Sequence, residues 1–192
     1  NSTSQHFTQY AFGPQGEYSE DGHYIASGGE DPRTDYLGHV LTLGQDERVR
    51  RASDYLRYDR FVQQLHAAGG IAGIAHMDFA QFWQDVALAL LAPEGGVDFV
   101  EIMQFNSIHA RDWYRFLNMG FKLPAAAGSD WPYMALPGSV RTYVQLEGEL
   151  SPDAWAAGLR AGRPFVSNGP MLTLSLDGKP AGSRLPVRAA DT

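Results

Sequence analysis

Glu30, His39, His76, Glu101 and Asp130 are the side chains whose types and settings suit them to hold a divalent cation, because each stands beside glycine or in an apolar run. The chain has no cysteine, so thiolate sites, disulfides and thiol nucleophiles are excluded, and a transition metal would have to be held by imidazole nitrogen and carboxylate oxygen. The settings are Gly28-Gly29-Glu30, Gly38-His39, Gly70-Ile71-Ala72-Gly73-Ile74-Ala75-His76, and Leu123-Pro124-Ala125-Ala126-Ala127-Gly128-Ser129-Asp130-Trp131. In parallel α/β proteins the carboxyl ends of strands are where binding and catalytic side chains collect. Metal-assisted hydrolysis is the chemistry that this set suggests.

Each residue also has a structural reading. His76 could be a satisfied structural histidine, and His39, alternating with Leu37, Val40 and Leu41, a buried hydrogen-bonded one. Asp130 could cap a following segment, although Pro132 disfavours a helix there. Glu101 lies in the apolar stretch Val97 to Met103 and needs a partner, which metal, arginine or a hydrogen-bond network could supply. His109 and Arg111 open a predicted helix and either face the same rim or lie exposed on it. Arg141 could stabilise an oxyanion and Asn168 donate to a carbonyl, with salt bridging and turn formation as their alternatives.

The elements that position these groups alternate between strand and helix. Residues 1–34 are polar, without sustained periodicity, and read as a loop or edge element. Strands are expected at Tyr36 to Leu43, Ile71 to Ala75, Val97 to Met103, Leu123 to Ala127 and Ser139 to Leu146. Helices are expected from a Ser53 cap to about Ala68, from Phe79 to Leu91, from Ser107 to Met119, and from Ser151-Pro152-Asp153 to Gly162. Phe165-Val166 and Met171 to Leu176 read as short strands, with a hairpin turn at Asp177-Gly178. Strands separated by helices predict βα units on a parallel sheet, either closed as a barrel or open. The domain plan is an irregular segment over 1–34 that contributes Glu30, a metallohydrolase-like domain over 35–164, and a β tail over 165–192.

The 192 residues are 44% hydrophobic and 12% aromatic, enough for one domain with a substantial core. A net charge of -7, from 15 Lys and Arg against 22 Asp and Glu, disfavours a nucleic-acid or anionic-membrane surface. The run Val86 to Ala92 is far short of the roughly 20 apolar residues that span a bilayer. The amino end carries neither a basic n-region nor an apolar h-region. A protein in solution is expected, cytoplasmic or exported after signal removal, acting on a small molecule with no nucleic-acid or membrane partner.

Taken in order, Gly29-Glu30, Gly38-His39, Ala75-His76-Met77-Asp78, Val100-Glu101-Ile102-Met103, Trp113 to Asn118 with Gly120-Phe121, Gly128-Ser129-Asp130, Arg141-Thr142-Tyr143-Val144 and Ser167-Asn168-Gly169-Pro170 form a series. It resembles the carbaryl-hydrolase-like branch of the PHP (polymerase and histidinol phosphatase) metallohydrolases, over about Gly28 to Leu174. The resemblance implies a distorted βα barrel with metal ions at the carboxyl ends of its strands, Glu30 bridging two metals, His39 and His76 completing one site and Asp130 belonging to the other. Two departures accompany it. The His-x-His pair that opens such proteins is missing, since His6 and His23 stand unpaired, so the barrel is expected to be incomplete at its amino end, with the missing segment absent or supplied by a companion chain. Pro132 stands where related three-metal enzymes often carry histidine, which argues against a third ion.

The expected cofactor is zinc or manganese, one or two ions, with Glu30, His39, His76, Glu101 and Asp130 as the ligand candidates. The expected activity is hydrolysis of a small ester, amide or carbamate through metal-bound water. In that reading Asp130 orients the water, His109 or Arg141 assists the leaving group or oxyanion, and Asn168 and Trp131 contact substrate. The alternatives are a phosphoesterase of the same fold and a catalytically inactive metal-binding module.

Overall fold

The strands Ile71–Ile74 and Phe99–Gln104, apolar apart from Glu101 and Gln104, are buried along their whole length and lie parallel within a mixed sheet. Near-continuous apolar character is what a strand covered on both faces requires. The structure is a computed structural model and describes residues 12–34, 37–49, 57–78, 84–104, 107–132, 135–180 and 183–186. In chain order the elements are β1 (Gly13–Pro14), β2 (Ala26–Ser27), β3 (Gly29–Thr34), β4 (Gly38–Leu43), α1 (Tyr58–Ala67), β5 (Ile71–Ile74), α2 (Gln84–Leu91), β6 (Phe99–Gln104), β7 (Ser107–Ile108), α3 (Arg111–Asn118), β8 (Ala125–Ala127), β9 (Arg141–Val144), α4 (Pro152–Arg160), β10 (Pro164–Ser167), β11 (Ser175–Leu176) and β12 (Lys179–Pro180). Among the described residues no helix is long and apolar enough to cross a membrane.

The principal sheet has six strands in the order β3-β4-β5-β6, with both β7 and β8 pairing to β6. β5, β6 and β8 are mutually parallel, as expected for βα units. β4 is not: it runs antiparallel to both β3 and β5. The cause is loop length, because only residues 35–37 separate β3 from β4, whereas a parallel crossover needs about a dozen residues or more. β4 therefore enters the sheet as the returning arm of a hairpin. β3 supplies the edge element read in the polar amino-terminal segment. Among the described residues the sheet is α/β and mixed, and it does not close into a barrel.

Alternation along the strands divides the interior into two clusters. Val40, Ala72, Ile74, Val100 and Ala125 face α1 and α2, where Tyr58, Phe61, Val62 and Leu65 form an i, i+3, i+4, i+7 stripe beside Ala87, Leu88 and Leu91. The intervening residues, Leu41, Leu43, Ile71, Phe99 and Ala126, pack with Leu159 and Trp155 of α4. A Cβ at Gly73 would overlap the Phe99 ring, so glycine there lets the ring lie across β5.

Local chemistry explains most element ends. Ser151 Oγ accepts the Ala154 N–H at 3.1 Å with Pro152 in the first turn, the predicted start of α4. Asp177 and Gly178 have φ of 51° and 73°, the left-handed pair needed by the tight hairpin joining β11 to β12. The third helix begins at Arg111, not Ser107: Ser107–Ile108 form β7, and the His109 N–H donates to Ile102 O at 2.6 Å, so the sheet takes groups that a helix start would leave unpaired. Within the expected strand Met171 to Leu176 only Ser175–Leu176 is extended into a ladder. The predicted starts at Ser53 and Phe79 lie outside the described residues. β9 and β10 form an antiparallel pair that joins β8 through Thr142 Oγ1, which accepts from Ala127 N at 2.8 Å and donates to Ala127 O at 3.0 Å.

Four elements are bolted together at the far end of the sheet by Asp98. Its Oδ2 accepts the Ala72 N–H at 2.8 Å and lies 2.8 Å from His66 Nε2, while Oδ1 accepts from Arg160 Nε at 2.9 Å; Arg160 also donates to Gly70 O at 2.7 Å. Replacement Asp98→Ala strips the Ala72 N–H and the Arg160 guanidinium of a shared acceptor. Urea unfolding of that variant is expected to show a loss of about 2–3 kcal/mol, with Asp98→Asn recovering part of it and metal stoichiometry unchanged in both.

Candidate metal centre

Glu30 and His39 come from neighbouring strands of the β3–β4 hairpin, and His76 from the turn that leaves β5. Glu30 pairs with Leu41 and Arg33 with His39, a register shift between them marking an irregularity in β3. Such a bulge turns side chains at a strand edge. His39 lies on the same face of β4 as Leu41 and so meets Glu30 diagonally. His39 Nδ1 lies 2.6 Å from Glu30 Oε1, His76 Nε2 lies 3.0 Å from His39 Nδ1, and His76 Nε2 lies 3.7 Å from Glu30 Oε1. The two imidazoles meet edge to face and are both buried, with ring centroids 4.8 Å apart.

This group can hold a metal ion. His39 Nδ1 faces both other atoms but carries either one hydrogen or one lone pair, so it cannot make a full hydrogen bond to each. A cation accepts lone pairs from all three together. Donors about 2.0–2.1 Å from a tetrahedral zinc stand about 3.3 Å from one another, and the three observed separations bracket that spacing.

Glu101 holds His76 in position. Its Oε2 accepts the His76 N–H at 2.7 Å and its main-chain carbonyl accepts the Met77 N–H at 2.9 Å, while Ala75 N–H donates to His39 O at 3.1 Å. His76 takes φ of 34°, a left-handed conformation rare outside glycine that these bonds hold in place. A Cβ at Gly128 would overlap Glu101 Oε1, so glycine is what lets this carboxylate sit beneath the β8 turn. Burial pushes the Glu101 carboxyl up to about 7, and the negative charges of Glu30 and Asp130 add to the rise, against the opposing bond and charge of His76.

Two of the three donors, Glu30 and His76, line a cleft of about 430 Å³, while the buried His39 contacts both of them. Leu41, Leu43, Phe99, Ala126, Trp155 and Leu159, the second apolar cluster, form its floor, and Glu101, Gln104, Asp130 and Trp131 stand around it. Asp130 has φ of 51°, and the residues after it form a turn, not a helix, which removes helix capping as its role. Glu101 and Asp130 thus share the cleft with Glu30 and His76 without belonging to the compact three-donor group.

The remaining sequence candidates fall elsewhere. His109, Arg141 and Asn168 do not line the cleft. Arg141 and Asn168 are exposed, and Ser167 organises the turn beside Asn168 by donating to Pro170 O at 2.6 Å and accepting from Gly169 N at 3.0 Å. Arg111 contacts Asp112 at 3.2 Å and Asp78 at 3.9 Å, and the Asp112 N–H donates to Asp78 Oδ2 at 3.2 Å, which ties the start of α3 to the His76 turn. Among the polar lining residues, one has no counterpart in the sequence candidates. Gln104 is buried, and its Oε1 has no hydrogen-bond partner among the described residues. The register shift between Glu101 and Met103 brings this side chain to the cleft, and periodicity along the sequence carries no sign of it.

Two measurements follow from this geometry. Isothermal titration with Zn²⁺ is expected to show tight binding that His76→Ala weakens at least 100-fold while the circular dichroism spectrum is kept, since a small partly polar site is emptied instead of an apolar core; retention of tight binding would remove His76 from the ligand set. In metal-free protein, Glu101 gives its folded state extra proton affinity, so its stabilising effect is full below about 4.5, its unfolded value, and lost as pH rises through about 7. Glu101→Gln cannot titrate, and its urea stability relative to the native sequence is expected to improve by on the order of 2 kcal/mol between pH 5 and pH 8. No family model and no curated protein matches the chain, so the functional reading rests on this arrangement of residues.

Proposed function

We propose that this protein is a metal-dependent hydrolase of a small, uncharged ester, amide or carbamate, with zinc or manganese held by Glu30, His39 and His76. The observation that carries the reading is the convergence of three metal-type donors, two of which, Glu30 and His76, line a cleft with an apolar floor. What a divalent cation supplies at such a site is Lewis acidity, towards a carbonyl and towards water, whose pKa it brings to about 7. Phe99, Leu41 and Leu43 bind the apolar part of the substrate and exclude solvent from it. Asp130 orients water and accepts its proton at the carboxylate, Gln104 Oε1 accepts a hydrogen bond from a substrate N–H or O–H, and Trp131 covers the mouth. The resemblance to PHP-type metallohydrolases accords with this reading, and the mixed sheet as an arc of their distorted βα barrel belongs to the same proposal.

The wall chemistry favours a neutral substrate over a phosphoester. Glu30, Glu101 and Asp130 line the cleft, and no lysine or arginine does so among the described residues. An anionic substrate would meet repulsion there, whereas phosphoryl-transfer sites surround their substrate with cationic groups.

With added Zn²⁺ or Mn²⁺, aryl esters or aryl carbamates are expected to be cleaved at least 100-fold faster than the matched aryl phosphate, and His39→Ala to lower that rate by at least 100-fold. Preferential cleavage of the phosphate would replace the proposal with the phosphoesterase reading. Metal binding without turnover of any of the three would mark an inactive metal-binding module.

A further inference from the structure

Behind one wall of the cleft lies a second cavity of about 380 Å³, between the β1–β2 pair and the start of α4. Pro14, Tyr24, Ala26, Leu150, Pro152 and Ala156 give it a largely apolar lining. Leu43 and Trp155 line both cavities, so the two spaces meet at these side chains. Trp155 projects from a helix anchored by its Ser151 cap and by Leu159, which is fully buried in the cluster that floors the cleft. Gly158 seats the same helix against β9, since a Cβ there would overlap Val144. The indole is thus a bulky partition on a rigid support.

We propose that Trp155 limits the length of the apolar group a substrate can carry, by closing the cleft floor off from this second cavity. The inference rests on the hydrolase reading for its substrate and deepens it: the preferred substrate has a short or compact apolar group, and the indole, the bulkier of the two side chains at the junction, excludes a longer unbranched alkyl chain. Among the described residues neither cavity presents a lysine or arginine, and the added space would receive an uncharged chain. Burying each further methylene there is favourable by about 0.8 kcal/mol, or about fourfold in affinity.

The test has a binding arm and a turnover arm. In metal-free protein, calorimetric affinity for 4-alkylphenols is expected to level off beyond the ethyl compound, whereas in Trp155→Ala it continues to tighten, by up to about fourfold per methylene. With Zn²⁺ present, kcat/KM for 4-nitrophenyl esters is expected to fall from acetate to octanoate in the native sequence, and the octanoate-to-acetate ratio to rise at least tenfold in Trp155→Ala. Ser27→Phe, which fills only the second cavity, restores the original cut-off when combined with Trp155→Ala. If Trp155→Ala does not fold, Trp155→Leu makes the same comparison with less volume removed. Identical chain-length profiles in native and variant protein overturn the partition, even if the esters are cleaved. A shifted binding profile with no ester cleavage upholds the partition and overturns the hydrolase reading.

Discussion

A carboxylate buried in a strand must find hydrogen-bond donors, and Glu101 finds one in the backbone of His76. That single requirement ties the end of β6 to the turn after β5, and the turn in turn places an imidazole against His39 and Glu30. Removing a charged group from water is costly without such compensation. The structure meets the cost with a backbone N–H, leaving Oε1 under Gly128, so the aspartate-bearing turn after β8 is drawn close to the same point. Three strands of different origin are thereby held in one geometry by one side chain.

The strands sort the remaining labour by parity. One set of alternating positions builds the core beneath α1 and α2; the other builds an apolar floor on which the site rests. Because the floor is itself a packed cluster sharing Leu159 and Trp155 with α4, the shape of the cleft is coupled to how that helix sits. A functional wall supported in this way is stiffer than one made by loops.

The parts of the site legible in the sequence are those carried by local pattern. Ile71 to Ala75 ends at His76 as its uninterrupted apolar run implies, Ser151-Pro152-Asp153 opens a helix, and Asp177-Gly178 closes a hairpin. What escaped the sequence depends on pairing between segments. β3 is a polar edge strand, and its alternation does not distinguish it from a loop, yet it delivers Glu30. The reversed direction of β4 follows from a short connection rather than from the residues of the strand itself. Gln104 reaches the cleft through a register shift, and His109, Arg141 and Asn168 were suggested by side-chain chemistry, whereas their distance from the cleft is set by register and turn geometry that chemistry does not encode.

The seam between the principal sheet and the β9–β10 pair has a mechanical meaning. A hydroxyl, that of Thr142, makes the described hydrogen bonds across it, in place of a ladder of backbone pairs. Thr142 also lines the cleft, as do Trp155 and Leu159 from α4, which touches β9 at Gly158 and the principal sheet at Leu159. Two side-chain hydrogen bonds can break and re-form without unravelling either sheet, so partial opening along this line is less costly than separating paired strands. The seam at Thr142 is therefore the yielding join, whereas α4 stays tied to the principal sheet by Arg160 and Leu159, so small movements of β9 and β10 would reach the cleft through Thr142 and leave the donors and the apolar floor in place.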